Sequence, residues 1–165
     1  MPGPGRPSVI ERFLRRDRGA ALTEFAMILP LSLLLFATIV ESTRMLWAYQ
    51  ATAAGVREAT RYVARVAPKD ICPGGSLGAY EGDALAIVAQ SSQGAPIFTG
   101  GIRIVSVQGR LLCDHGAWHG GPAGIAEITA TLEVTFPFGG IFGLVGGGAP
   151  TLTAILSDQS RIFGT

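Results

Sequence analysis

The chain has 165 residues, of which 48% are hydrophobic and only 15% charged, with a mean hydropathy of +0.39. That length suits one domain and is too short for two well-packed ones. Soluble domains carry roughly 25% charged residues, so the composition excludes a well-solvated free globule, and it equally excludes intrinsic disorder, which needs low hydrophobicity and high net charge. A net charge of +1 is too small to suggest a nucleic-acid binder from composition. The 23 glycines have no three-residue period, so collagen is out.

The placement of charge is more informative than its sum. Residues 1–18 hold Arg6, Arg12, Arg15, Arg16 and Arg18 against Glu11 and Asp17, whereas residues 66–165 hold four basic residues against seven acids. Between them lies one long apolar run, Ala20 to Val40, whose only charge is Glu24. As a helix this run rises ~31 Å, enough for a hydrocarbon core of roughly 30 Å. Basic residues favour the cytoplasmic flank, so Arg12, Arg15, Arg16 and Arg18 act as a topology signal. The expectation is a single-pass protein with its N-terminus inside and residues 41–165 outside. A cleaved secretory signal fits poorly, because the run exceeds the usual 7–15 apolar residues and the first small-x-small triplet, Ala51-Thr52-Ala53, comes well past Val40. A twin-arginine signal fits worse, since Arg15-Arg16 is followed by Asp17-Arg18.

The helical pattern continues past the apolar run. No proline interrupts residues 41–67, and Met45, Tyr49, Val56, Ala59, Val63 and Val66 fall at helical steps, predicting an amphipathic stripe. Arg57, Arg61 and Arg65 form a separate basic row. Residues 20–67 are then predicted as one helix of ~70 Å, membrane-spanning to about residue 40 and amphipathic beyond. The outer half is expected to cover this chain's own globular region and is also suited to bundling with other subunits. Within the apolar half, Pro30 removes a helical hydrogen bond and should kink the helix. Glu24 costs about 2.5–3.5 kcal/mol on insertion scales if it sits mid-membrane. It either snorkels to the interface beside Arg18 or serves a functional partner.

The run Arg18-Gly19-Ala20-Ala21-Leu22-Thr23-Glu24-Phe25-Ala26, followed by Leu29-Pro30, resembles the processing and membrane segment of TadE-like proteins, minor pseudopilins of the tight adherence (Flp, type IVc) pilus machinery. The family pattern has a basic leader, a Gly before the cut, a Glu five residues later and an aromatic next, and Gly19, Glu24 and Phe25 stand in those places. The likeness continues through Glu41-Ser42-Thr43-Arg44, Tyr49-Gln50 and Ala59-Thr60-Arg61-Tyr62 and covers about residues 15–65. It implies that residues 1–19 are a leader, cut between Gly19 and Ala20 by a prepilin peptidase on the cytoplasmic side of the inner membrane. Gly19 suits such a cut because it has no side chain to obstruct an active site. The freed Ala20 amine is a cation at neutral pH, and the resemblance implies that Glu24 of one subunit pairs with such an amine on a neighbour. Glu24, Phe25 and Pro30 are thereby assembly and recognition candidates. The implied partners are inner-membrane lipid, the peptidase, other pilins or pseudopilins and the Tad assembly platform.

The exported head, residues 68–165, is expected to hold a second helix over 77–93 and three or four strands: 102–108, 110–114, 126–136 and 151–157. The third is the clearest, with Ile128, Ala130, Leu132, Val134 and Phe136 alternating against Glu127, Thr129, Thr131, Glu133 and Thr135. The predicted fold class is α+β: a long N-terminal transmembrane helix running into a small pilin-like head with an antiparallel sheet. Cys72 and Cys113 are the two cysteines, and outside the inner membrane an even pair reads first as a disulfide. With His115 and His119 they also make a possible Cys2His2 zinc set, and two free thiols are the third option. The glycine-rich apolar stretch 137–150 is either a loop folded over the core or a greasy tip, through Ile141, Phe142, Leu144 and Val145, that docks on a partner or dips into the membrane surface.

No nucleophile elbow, phosphate-binding glycine loop or His-Glu-x-x-His pattern is present, so the expectation is an assembly protein rather than an enzyme, without cofactor, metal, nucleic acid or small-molecule substrate. Two readings of other classes stand beside it. One is an uncleaved accessory subunit of another inner-membrane complex. The other is a membrane-anchored periplasmic binding module using segment 137–150.

Overall fold

The structure, a computed structural model, describes residues 18–116, 122–140 and 151–164. Arg12, Arg15 and Arg16, the side chain of Arg18, Trp118, His119 and most of the glycine-rich stretch (141–150) lie outside the described residues, so the expectations placed on them are not addressed. The chain divides into two compact units, Met1–Val40 and Glu41–Thr165.

The first unit contributes the beginning of α1 (Arg18–Val66). Its large apolar side chains face outward: Leu22, Phe25, Met27, Leu31 and Phe36 are all well over half exposed. In water this would be the wrong way round, whereas in a bilayer the tails replace water as the solvent of those side chains. A helix meets most of its backbone hydrogen-bonding needs internally, as lipid requires. Pro30 sits inside it, leaving the Ala26 carbonyl without its usual donor four residues on.

The second unit is α+β. The rest of α1 lays a stripe of small residues on the core: Ala48, Thr52, Val56, Ala59, Thr60, Val63 and Ala64 are all buried. The expected stripe differs, since Tyr49 and Val66 are nearly half exposed and Met45 is only half-buried. The reason is close approach. A Cβ on Gly55 would lie 3.1 Å from the Val88 Cα, so the face turned inward is the one with the least bulk rather than the greasiest. The buried Thr52 and Thr60 hydroxyls donate to the Ala48 and Val56 carbonyls, each at 2.8 Å, which leaves no unpaired polar atom there.

Pro68 follows the end of α1, and a proline disfavours helical backbone in the residue before it. The helix's last carbonyls are satisfied from outside: the Phe163 N–H donates to the Ala64 carbonyl at 3.0 Å. A 3-10 turn (Gly78–Tyr80) leads into α2 (Glu81–Ala89), which is shorter than the predicted 77–93. Gln90 turns extended and bridges to Pro96, while the Ser91 N–H donates to the Ala95 carbonyl at 2.8 Å. Gly94 at φ +77° makes that reversal possible. The Tyr62 hydroxyl donates to Asp83 Oδ2 at 3.1 Å and ties α1 to α2. That hydrogen bond, then the Asp83 charge, raises the phenol above its ordinary value.

Three antiparallel strands form the sheet among the described residues, in the order β1 (Ile102–Asp114), β2 (Ala123–Thr135), β3 (Thr151–Arg161). The clearest predicted strand is the central one, and its alternation holds: Ile128, Ala130, Leu132 and Val134 are buried against α1 and α2, with Phe136 half-buried at the end. Predicted strands 102–108 and 110–114 are one strand, because Gly109 stays in register with Ile128. Gly109 is needed there, since its Cβ would come 3.0 Å from the Leu77 Cβ. Its N–H, on the sheet edge, donates to Glu81 Oε1 at 2.9 Å, so α2 blunts that edge. The register shifts between Ile104 and Ser106, a bulge at Val105. β3 continues beyond the predicted end at Ser157 because Asp158–Arg161 pair with Ile125–Ile128.

Cys72 and Cys113 are joined in a disulfide with Cα atoms 5.8 Å apart, closing a separation of 41 residues. It fastens the segment after α1 to the end of β1. The bonded sulfurs are no longer thiolates, so the Cys2His2 alternative loses half its ligand set. Reducing the bond, or replacing both cysteines by serine, is expected to lower the head's unfolding free energy by roughly 2–4 kcal/mol. Urea unfolding with and without reductant measures this, and equal midpoints would contradict it.

Candidate membrane and assembly segment

Gly19 and Ala20 lie in the first turn of α1, and a Cβ on Gly19 would meet nothing within 4 Å. The peptide bond between them is therefore open to an approaching molecule but helical rather than extended. No acidic residue sits in that first turn, so it lacks the charge that stabilises helix N-termini. The Thr23 hydroxyl donates to the Ala20 carbonyl at 2.8 Å and lies 3.3 Å from that of Gly19.

Glu24 lies four residues after Ala20, hence on the same helix face. Its side chain is exposed and has no hydrogen-bond or ion-pair partner among the described residues. Phe25 beside it is 59% exposed. So Gly19, Ala20, Glu24 and Phe25 fall together within two turns, presented outward. Pro30 stands further along the same helix, and the cysteines belong to the head. The carboxylate is thus an anion without a partner among the described residues, at the start of an apolar helix, and what it can do chemically is accept a cation.

A second polar feature carried no assigned role in the sequence. Glu41 is buried at 3% exposure, and both its oxygens are used. Arg44 Nη1 donates to Oε2 at 2.9 Å, and the Phe138 N–H donates to Oε1 at 3.1 Å. Arg44 Nη2 also donates to the Gly100 carbonyl at 2.6 Å, where Gly100 takes φ +64°. Next along the helix, the Trp47 and Phe98 rings meet edge to face with centroids 5.6 Å apart. Glu41 and Arg44 are the only charges between residues 25 and 56. An isolated i,i+3 pair of opposite charge in so long a neutral stretch was the signal for their pairing.

The apolar helix is long and apolar enough to cross a membrane and is consistent with single-pass anchoring. Searches among curated proteins and solved structures find no match to this chain. The TadE-like resemblance suggests a protein associated with the Tad pilus. Residues 19–61, the stretch that holds Gly19, Glu24, Phe25, Glu41 and Arg44 and leaves the sheet outside it, match the family model described as TadE-like protein.

Proposed function

We propose that this protein is a minor pseudopilin of a Tad/Flp pilus machine, anchored in the bacterial inner membrane by the first part of α1. Its N-terminus is cytoplasmic and its head periplasmic or extracellular. A prepilin peptidase removes residues 1–19, and Glu24 of one subunit then accepts the Ala20 amine of a neighbouring pilin or pseudopilin. Pairing offsets the desolvation of both charges, which an unpartnered carboxylate leaves uncompensated. The role is assembly rather than catalysis, and it needs no cofactor or small-molecule substrate.

The observation that supports this most is the outward placement of Gly19, Ala20 and Glu24, the last without a partner among the described residues, on the first turns of an exposed apolar helix, inside the TadE-like match. The first turn must unwind for the cut, and Gly19 lowers the cost of unwinding it. Intact mass of the membrane-extracted protein, with and without its peptidase, tests the reading. A chain beginning at Ala20 only when the peptidase is present is the expected result. A chain retaining Gly19 under both conditions would refute processing and favour an uncleaved accessory subunit.

A further inference from the structure

From the first turns of α1 beyond Val40, we infer that the head carries a lipid-facing collar, centred on Trp47 and flanked by Leu46 and Tyr49, that sits in the headgroup layer of the membrane. The inference rests on the reading that residues 20–40 span the bilayer.

Four observations carry it. First, Leu46, Trp47 and Tyr49 are 57%, 51% and 46% exposed, on a helix whose solvent face would ordinarily carry charges. Second, the charges that are present near them are closed off: Glu41 and Arg44 satisfy each other and the backbone of Gly100 and Phe138. A base so neutralised tolerates a medium poorer in water than the bulk. Along α1 exposed charge resumes only at Arg57 and Glu58, and Arg103 on the neighbouring strand, 70% exposed, is paired with Glu133 at 2.7 Å. Third, Trp47 is held rather than loose, its ring braced edge-on by the largely buried Phe98. Fourth, Trp47 follows Val40 by seven residues of continuous helix, about 10 Å of rise. Each polar layer of a bilayer is about 5–8 Å deep, so the Trp47 backbone lies just outside it, and the indole, on a Cα–Cβ bond that tilts back towards the helix N-terminus, reaches into it. Tryptophan and tyrosine prefer that zone because one end of each ring is apolar and the other wets. The occupant is therefore lipid headgroup and upper acyl chain, continuous with the solvent of the apolar span.

The test uses the full-length protein in phosphatidylglycerol–phosphatidylcholine vesicles. Replacing Trp118 by Phe (Trp118→Phe) leaves Trp47 as the single indole, and Trp47→Phe supplies the background from Trp118. Bromines are placed on the phosphatidylcholine either near the glycerol end of the acyl chain or near its methyl end. The expected result is a loss of roughly half the Trp47 emission with the shallow bromines and little with the deep ones, as for an indole at headgroup level. Carbonate washing separates the two ways of failing. Protein that resists washing while Trp47 is quenched by aqueous iodide and by neither lipid would overturn the collar and leave the anchor standing. Shielding from iodide and from both lipids would mean that protein covers Trp47, and would also overturn it. Protein released by carbonate would overturn the anchor, and the collar with it.

Discussion

Replacing Glu24 by Ala (Glu24→Ala) should leave a processed, membrane-inserted and correctly folded protein that cross-links to neighbouring pilins or pseudopilins about tenfold less, or worse, since a charge pair in a water-poor setting is worth well over 1.4 kcal/mol. The carboxylate is exposed, partnerless among the described residues and one helical turn from Ala20, so its removal frees no buried group in this chain. Membrane insertion should improve slightly, because an acid near the edge of the span costs less than the roughly 2.5–3.5 kcal/mol of a mid-membrane one. The loss is thus expected in assembly alone, with unfolding of the head unchanged. Glu24→Gln separates charge from shape: it keeps the volume and hydrogen-bonding capacity but cannot neutralise an amine. Site-specific cross-linking in cells, normalised to the amount of processed protein, is the measurement. Wild-type cross-linking by either variant would remove Glu24 from the assembly mechanism.

Leu132→Ala should destabilise the head by about 2–5 kcal/mol, the usual range for emptying a buried leucine site. Leu132 lies on the central strand, paired to β1 through Ile104 and to β3 through Ala154, and is 1% exposed beneath the helices. Small domains have only about 5–15 kcal/mol in total, so this one change removes a large share. The paired control is Ile155→Ala, on a side chain that is 72% exposed, which should shift stability by no more than about 0.5 kcal/mol. Urea unfolding of the detergent-solubilised chain, followed by near-ultraviolet circular dichroism, compares them. Equal midpoints would mean that the core is not where the strand alternation places it.

The two variants separate what each part of the chain contributes. Among the described residues up to Val40 there is little packing and one anion without a partner, which suits a segment whose partners come from outside. Residues from Glu41 onward hold the core, the disulfide and the paired charges, which suits a self-sufficient head. The Glu41–Arg44 pair opens that second part and presents no unpaired charge where the apolar span ends.

Several features were determined by the sequence alone. The apolar run with basic residues before it and acids far after it is long enough for a single-pass anchor, since about twenty consecutive apolar residues span a bilayer. The Gly19, Glu24 and Phe25 spacing carries the resemblance to TadE-like proteins that the family-model match over residues 19–61 bears out, and the period-two pattern of Ile128 to Val134 dictates a half-buried strand. Other features were decided only by tertiary contacts. Which face of α1 turns inward depends on how closely α2 approaches Gly55, so bulk at Tyr49 and Val66 yields to the smallness of Ala48, Thr52 and Ala59. Gly109 reads locally as a strand break and becomes mid-strand because β2 pairs it in register with Ile128, while Leu77 leaves little room for a side chain there. Asp158 to Arg161 have poor strand propensity, yet β2 supplies their pairing partners and β3 runs on. In each case local propensity is worth tenths of a kcal/mol per residue, while burial and backbone pairing across the sheet are worth whole ones.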